Sequence, residues 1–399
     1  MLKIRWIVIL LSVLIFSCKD LEKTKSVHFV VKNPEQGAKM SQKVTLETDP
    51  KFIGWSVENH VSEWVEKEDG SMALEVMVAL EPGTETSLTL VPEESNTPDL
   101  AHAELSVRTN GKWEEREYKA QGFDFTPVTT FESPEQLTDH SYYLRYEGPG
   151  WENDLIGYRL YLDWRNAIDV FVKTDSELVL DQVGLDGYDS YHELADWGGD
   201  ALKVGKSLGV GALGRVSGDA IMHFQHVENT RWDLDKNTKL QAGFTINYAG
   251  WRSAAEADDE VDVSTEYEIV ARDPSSSIKV SLSRPIEGLV TGLVKHKGTE
   301  DIRLNLGNWS VIGTWGKQNL LAPDAQLGMA LFYQNDQVEK VSTSSIEHLL
   351  HFKSLKEFEY LIFATWPGHP KGPQNQTEFE AQLNEKLRAL AAPAYVVYQ

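Results

Sequence analysis

The chain has 399 residues, of which 41% are hydrophobic and 25% charged, and this balance excludes a disordered or collagen-like protein. Its 61 acidic residues outnumber 38 basic ones, and a surface with a formal net charge of -23 disfavours nucleic-acid binding. The single cysteine, Cys18, excludes an intramolecular disulfide and a cysteine-based metal site.

The first residues have the pattern of an export signal. A basic start is followed by an apolar run over residues 6–16, which is too short to span a bilayer but suits the core of a signal peptide. Ser17 precedes Cys18 as in the lipobox of bacterial lipoproteins, although the residue before Ser17 is larger than usual. We predict a signal peptide over 1–17, lipidation of Cys18 and a tether over 18–26. An ordinary cleaved signal peptide with an incidental cysteine is the alternative.

That anchor predicts a location as well as a modification. A lipidated cysteine places the protein in the bacterial cell envelope, anchored to the outer membrane and facing the periplasm or the cell surface. The membrane is then a partner only through the N-terminal lipid.

From residue 27 onwards the pattern is one of short strands separated by polar breaks. Alternating and β-branched runs predict strands at residues 27–31, 43–47, 73–78, 86–91, 103–108, 155–162, 167–173, 220–227, 238–248, 265–271, 278–282, 302–306, 327–333 and 360–366. Apolar spacing predicts a helix over residues 377–390 and a short one over residues 191–196. We predict an all-β fold, a large antiparallel β-sandwich of the mutarotase-like supersandwich kind with a short C-terminal helix.

A soft boundary falls near residues 126–138, where two prolines and polar residues interrupt the strands. We predict an N-terminal β region of the sandwich over residues 27–130 and a main catalytic region over residues 131–399. One large sandwich and two separate domains fit this pattern equally well.

The densest chemistry lies on the predicted strand at residues 155–162. Alternation places Arg159, Tyr161 and Asp163 on one face, with about 7 Å between successive members, and Tyr158 on the other. An arginine, a phenol and a carboxylate in one line predict a binding face. A salt-bridged strand exposed to solvent is the equal alternative.

A second block, residues 184–206, mixes acids, bases and glycines. If residues 191–196 are helical, His192 and Asp196 lie one turn apart and orient each other, which gives a histidine of tuned basicity. Two ligands at this spacing are weak evidence for a divalent metal on His192 and Asp196, and residues 186–189 resemble only a fragment of a calcium loop. We therefore predict no metal and no cofactor, with a divalent metal as the unsupported alternative. A loop held by polar contacts is the alternative.

Two further patterns carry less chemistry. The glycine-rich run at residues 205–215 lacks the spacing and the following helix of a nucleotide-binding loop, so it predicts a closely packed backbone. His223 and His226 lie three apart in a predicted strand and point to opposite faces, so they do not meet one metal there. We interpret them as structural.

Together, the blocks at residues 151–169, 186–198 and 202–209 resemble a family described as a domain of unknown function. Its members occur in polysaccharide-utilisation clusters and include ulvan oligosaccharide dehydratases. The resemblance covers most of the chain after the tether. It implies a carbon–oxygen lyase that removes water from the non-reducing-end glucuronic or iduronic acid and leaves a 4,5-unsaturated uronyl end.

The reaction that the resemblance implies is a β-elimination, and its chemistry suggests roles. A base takes the C5 proton, an acid protonates the departing 4-hydroxyl, and a cation neutralises the uronate. The catalytic candidates are His192, Tyr191, Tyr158 and Lys203. The substrate-binding candidates are Arg159, Tyr161, Asp163, Trp197, Arg215 and Trp366.

The implied partner is an anionic oligosaccharide of uronic acid and sulfated rhamnose. On so acidic a protein, such a ligand requires a local concentration of basic side chains. The competing interpretations are a sugar epimerase or mutarotase-like enzyme, and a glycan-binding lipoprotein without activity.

Overall fold

The computed structural model describes residues 27–67, 69–187, 190–322 and 324–398. The predicted signal peptide, Cys18 and tether lie outside these residues. Within them, no helix combines the length and the apolar character that a membrane crossing requires.

The described residues form 29 strands and one α-helix. The first strands are β1 (His28–Lys32), β2 (Gln42–Leu46), β3 (Ser56–Val57), β4 (Ser62–Glu66), β5 (Met72–Val78), β6 (Glu85–Val91), β7 (Ala101–Arg108), β8 (Gly111–Glu114), β9 (Glu117–Ala120) and β10 (Phe125–Val128). The next are β11 (Thr130–Glu132), β12 (Gly150–Asn153), β13 (Ile156–Leu160), β14 (Ile168–Lys173), β15 (Gly198–Asp200), β16 (Val210–Ser217), β17 (Ala220–Met222), β18 (Asn229–Asn237), β19 (Gln241–Trp251) and β20 (Val261–Val270). The last are β21 (Ser275–Leu282), β22 (Leu289–Val294), β23 (Thr299–Leu306), β24 (Trp309–Gly316), β25 (Leu327–Gln334), β26 (Val338–Thr343), β27 (Glu347–Phe352), β28 (Glu357–Thr365), α1 (Gln376–Ala391) and β29 (Tyr395–Val397). The predicted all-β class is confirmed.

A small N-terminal module packs two sheets face to face. One has the order β29-β1-β6-β3 and the other β2-β5-β4. Their alternating apolar residues meet between the sheets, where Val31, Leu46, Leu74 and Leu88 are buried. Strands β7 and β10, which also belong to the predicted region 27–130, join the main body instead.

Three sheets make up the main body. Their orders are β10-β7-β12-β13-β14-β15, β11-β18-β19-β20-β21-β28-β25-β24-β23 and β17-β16-β22-β27-β26. The core between the first two sheets is aromatic, since Trp151 lies within 5.2 Å of Phe244 and 5.4 Å of Tyr267, measured between ring centroids. Every residue of β12, β13 and β14 is buried, so any polar side chain on these strands needs a partner inside the protein.

Helix α1 covers the outer face of the nine-stranded sheet. The side chain of Asn375 caps its first turn by accepting a hydrogen bond from the Glu378 amide. Phe379, Leu383 and Leu387 recur on one face and are buried against the sheet. The predicted helix at residues 377–390 is confirmed.

Two local predictions were wrong. Residues 191–196 form no α-helix, because a single 3-10 turn, Ser190–His192, is followed by a turn closed between Ala195 and Gly198. The predicted strand at residues 220–227 ends at Met222. Beyond it, the Phe224 amide donates a hydrogen bond to the Trp164 carbonyl, which lies in a turn and not in a strand. The missing helix and the shorter strand determine where His192 and His223 lie.

Candidate active site

One cavity of about 740 Å³ gathers acid, base and cationic side chains from separate segments of the main body. We call it the main cavity. It is bounded by the outer face of β13 and β15, the turn after β13, and the loops that flank β15 and β17. Four of the predicted site residues line it: Arg159, Tyr161, His192 and Lys203.

Arg159 is the centre of a buried polar cluster beneath this cavity. Its Nη2 lies 2.9 Å from Asp169 Oδ2 and 2.6 Å from Asp200 Oδ2. The same nitrogen donates to the Tyr161 hydroxyl at 2.9 Å, and Nη1 donates to the Tyr191 hydroxyl at 3.1 Å. The guanidinium is thus held by four side chains while only 1% of the residue is exposed.

Strand pairing explains how the two carboxylates reach this arginine. Asp169 is the register partner of Arg159 across the β13–β14 ladder, and Asp200 is brought in by β15, which pairs with β14. Gly198 opens β15 with a φ of 128°, and a Cβ atom there would lie 1.8 Å from the Val172 carbonyl oxygen. Only glycine allows β15 to approach this closely, so Gly198 sets the position of Asp200.

The two carboxyl groups of Asp169 and Asp200 share the Arg159 cation. Burial and the charge of Asp169 raise the pKa of Asp200 well above its usual range, although Arg159 opposes the shift. Asp200 therefore holds a proton more readily than an exposed aspartate.

Tyr161 carries the phenol that faces the cavity. Its hydroxyl donates to Asp169 Oδ2 at 2.6 Å and accepts from Arg159. Burial raises its pKa well above the usual value, against the effect of Arg159. The Arg165 guanidinium also lies over the ring, 4.1 Å from its centroid. The hydroxyl consequently keeps its proton at neutral pH.

Arg165 lines the cavity next to Tyr161 and is held by two carboxylates. Its Nη2 lies 2.7 Å from Glu147 Oε1 and 2.6 Å from Asp163 Oδ2. Burial would raise the pKa of Glu147, but the charges of Arg159 and Arg165 lower it overall. Glu147 is therefore ionised, and Asp163 serves to hold Arg165 rather than to bind a ligand in the main cavity.

His192 stands at the more open side of the cavity. About half of its side chain is exposed, and Nε2 lies 3.5 Å from Asp200 Oδ2. Its ring packs against that of Tyr191, with 4.6 Å between the centroids. The orienting carboxylate is thus Asp200, and the predicted pairing with Asp196 was wrong because no helix places those two residues on one face.

Two more histidines, His140 and His223, and two lysines also line the cavity. His223 Nδ1 lies 2.5 Å from the Arg165 carbonyl oxygen, and burial lowers the pKa of His223 although hydrogen bonding to backbone carbonyls opposes the shift. Lys203 and Lys206 are exposed to the cavity and form no ion pair with a carboxylate of the described residues. They are the cations most available to an incoming anion.

Several predicted site residues lie elsewhere. Tyr158 points into the core, where its hydroxyl donates to the Pro274 carbonyl at 2.6 Å. Tyr191 is 1% exposed, and its hydroxyl accepts a hydrogen bond from Arg159 inside the buried cluster. The structure therefore brings neither phenol to the wall of the main cavity.

Three substrate-binding candidates, Trp366, Arg215 and Trp197, make contacts within the protein away from the main cavity. Trp366 is buried and its indole N–H donates to the Lys173 carbonyl at 2.6 Å. Arg215 pairs with Asp259 at 2.7 Å, and Trp197 packs edge-on against Phe171. All three lie outside the lining of the main cavity.

Sequence reasoning missed Asp169, Asp200, Arg165, His223 and Lys206. One signal was present, because Asp169 is a carboxylate among the apolar residues Ile168 and Val170–Val172 of strand β14, and such a group requires a buried partner. The positions of His223 and Asp200 depend on loop paths that no periodicity records.

Over the described ranges, no group of three or more His, Cys, Asp or Glu side chains is arranged to hold a metal ion. The acids, bases and cations that line the main cavity are side chains of the protein itself.

Comparison with known families identifies the chain. The sequence profile of the family described as domain of unknown function DUF4861 matches residues 19–396. The chain belongs to the DUF4861 family. No curated protein matches this DUF4861 member.

Solved structures similar to the DUF4861 chain include two from Enterococcus faecalis. One is described as a protein in the Glycosyl Hydrolase Family 38, with 8% sequence identity and a TM-score of 0.44. The other is described as an alpha-mannosidase, with 8% identity and a TM-score of 0.43. Each comparison covers 94% of this chain, but the chain spans only 47% and 46% of those proteins, respectively.

Proposed function

We propose that this DUF4861 protein is a carbon–oxygen lyase that removes water from the uronic acid at the non-reducing end of an oligosaccharide, with ulvan oligosaccharides as its substrates. One observation carries the proposal. On a chain of net charge -23, a single cavity combines a histidine, a protonated phenol and two lysines without carboxylate partners among the described residues. Those are the three functions that β-elimination next to a carboxylate requires.

The lysines would bind the substrate carboxylate. As the C5 proton leaves, negative charge grows on the uronate, so a cation close to it stabilises the transition state more than the ground state. Arg159 and Arg165 are already engaged by carboxylates, whereas Lys203 and Lys206 have no carboxylate partner within the part of the chain that the structure describes. We therefore assign uronate binding to Lys203 and Lys206.

His192 would be the base. Its imidazole is accessible, and Nε2 lies 3.5 Å from Oδ2 of Asp200, which lines the same cavity. The other exposed cavity histidine, His140, lies 3.5 Å from Asp139, which does not line the cavity. A neutral imidazole takes the C5 proton and becomes an imidazolium. Asp200 is a positioning residue in this scheme.

Tyr161 would be the acid. The electrons of the C5–H bond form the C4–C5 double bond, the C4–O bond breaks, and the departing hydroxyl takes the phenolic proton to leave as water. The phenolate that remains is stabilised by Arg159 at 2.9 Å and by Arg165 over its ring. Proton exchange with solvent then restores the neutral histidine and the phenol.

The proposed location is the one predicted from the N-terminal sequence. A lipid on Cys18 would hold the enzyme at the outer membrane, where oligosaccharides from outside the cell arrive. Growth in labelled palmitate, followed by comparison with Cys18→Ser, tests this part independently of the activity.

A direct assay tests the reaction. The purified protein is incubated with a saturated uronyl-rhamnose-sulfate oligosaccharide, and enoic-acid absorbance and product mass are followed together. We expect new absorbance and the loss of one water. An unchanged mass with an altered configuration would instead indicate an epimerase or mutarotase, and binding without any change would indicate a glycan-binding protein.

Variants test the assigned roles. His192→Ala and Tyr161→Phe are each expected to lower kcat by roughly 10²–10⁴-fold, which is the usual contribution of general acid–base catalysis. His60→Ala is the matched control, because His60 lies in the N-terminal module and outside the main cavity. Full activity in His192→Ala would refute the assignment of the base.

A further inference from the structure

Trp164 differs from the other tryptophans of the protein in its exposure. Within the described part of the chain it is the one tryptophan among the exposed large hydrophobic residues, with 42% of its surface accessible. Trp151, Trp232 and Trp251 are fully buried by contrast. A large exposed indole on the rim of a cavity is a candidate for ligand contact.

The position of Trp164 connects two cavities. It lies in the turn after β13 and lines the main cavity together with Gln225. The same two residues line a neighbouring cavity of about 410 Å³, which we call the side cavity. The two cavities are therefore adjacent, with the indole on the wall that they share.

Trp164 is held both at its backbone and at its side chain. The Trp164 backbone carbonyl accepts a hydrogen bond from the Phe224 amide at 3.0 Å. The indole packs edge-on against the His223 ring, with 6.4 Å between the ring centroids. Burial alone would raise the pKa of Asp139, but hydrogen bonds from Thr138 and from the Trp164 indole help to lower it overall. An aromatic ring fixed in this way offers a stacking surface at little entropic cost.

The side cavity has the chemistry of a sugar subsite. Its polar lining includes Arg116, Glu135 and Glu228, all exposed and without an ion pair in the described residues. Carboxylates accept hydrogen bonds from hydroxyl groups, and a guanidinium donates to ring or hydroxyl oxygens. A pyranose ring presents hydroxyls at its edge and an apolar C–H face to an indole, so it satisfies both features.

We propose that Trp164 and the side cavity bind the sugar ring that follows the reacting uronate, which makes the enzyme specific for oligosaccharides over single uronic acids. This inference rests on the proposed function, which places the non-reducing end of the oligosaccharide in the main cavity. Trp164 is a specificity-determining residue in this scheme and takes no part in proton transfer.

The test compares two substrates of the same head group. Methyl glucuronide fills the main cavity alone, whereas a uronyl-rhamnose oligosaccharide also reaches the side cavity. We expect Trp164→Ala to lower the ratio of kcat/KM for the oligosaccharide to that for methyl glucuronide by about three- to tenfold, the loss typical of one aromatic stacking contact. Trp164→Phe should recover part of the ratio.

Two further variants complete the design. Arg116→Ala alters the side cavity without touching Trp164, and should lower the same ratio. Tyr395→Ala is the matched control, since Tyr395 is 51% exposed and lies in β29, outside both cavities. An unchanged ratio in both Trp164→Ala and Arg116→Ala would overturn the inference.

Binding measurements separate this inference from the proposed function. Calorimetric titration with the oligosaccharide needs no turnover, so the affinities of the unmodified protein and Trp164→Ala can be compared even if no elimination occurs. If no elimination occurs but the variant binds more weakly, the stacking role of Trp164 is supported and only the proposed reaction is wrong. Equal affinity, with elimination intact, overturns the role of Trp164 alone.

Discussion

Replacing Arg159 with methionine removes the one cation that holds the buried cluster together. Methionine fills a similar space but leaves Asp169 and Asp200, both 2% exposed or less, without their shared partner. Breaking a buried ion pair from one side costs about 3–5 kcal/mol, which is a large share of the roughly 5–15 kcal/mol by which domains are stable. The Tyr191 and Tyr161 hydroxyls also lose the donor that they share.

Denaturation in urea, followed by circular dichroism, measures this effect. Without Arg159 the pKa of Asp200, already raised by burial, rises further in the folded state, so the folded protein holds a proton that the unfolded chain releases. The deficit should therefore be largest at pH 7 and shrink as the pH falls towards about 4, the ordinary pKa of aspartate. Adding Asp200→Asn should restore part of the stability, because it removes one of the two acidic groups.

The matched control is Lys112→Met, which removes an exposed ion pair to Glu114 on the β8–β9 hairpin. Its unfolding curve should overlay that of the unmodified protein. A loss below about 1 kcal/mol for Arg159→Met, equal at all pH values, would refute the account of the cluster.

Three other predictions follow from the same geometry. Tyr158→Phe should destabilise the protein by about 1–2 kcal/mol, since the Pro274 carbonyl loses a buried donor, while elimination measured by absorbance stays unchanged. Lys203→Ala should raise KM for a uronate substrate roughly tenfold or more in steady-state kinetics, because it removes a charge-assisted contact; an unchanged KM would exclude Lys203 from uronate binding. Burial lowers the pKa of His223, so the unfolded chain binds the proton more readily; urea midpoints should fall as the pH drops below about 6.5, and less so in His223→Gln.

Much of the fold could be predicted from alternation. Alternation over residues 155–162 placed Arg159 and Tyr161 on one face and Tyr158 on the other. In the structure, Arg159 Nη2 lies 2.9 Å from the Tyr161 hydroxyl, and Tyr158 points into the core. The same rule failed for Asp163, because β13 ends at Leu160 and the chain then turns. Period-two reasoning holds only while the strand lasts.

The site could be predicted only in part, since it is assembled from contacts distant in sequence. Arg159 receives Asp169 from the adjacent strand, and Asp200 arrives through the close approach that Gly198 permits. Neither contact has a local signature. The structure also changed the significance of the tryptophans: Trp366 is buried, whereas Trp164, which no sequence argument singled out, is exposed.

The pairing of β29 with β1 has a consequence for how the protein is made. Val30 lies opposite Val397, so the four-stranded sheet of the N-terminal module is assembled from segments far apart in the sequence, and β29 is synthesised long after β1. Until β29 arrives, that side of β1 is an open edge, the kind of surface that invites pairing with other chains. A product truncated before residue 395 would leave the module unfinished, and its exposed edge would mark it for proteases or aggregation.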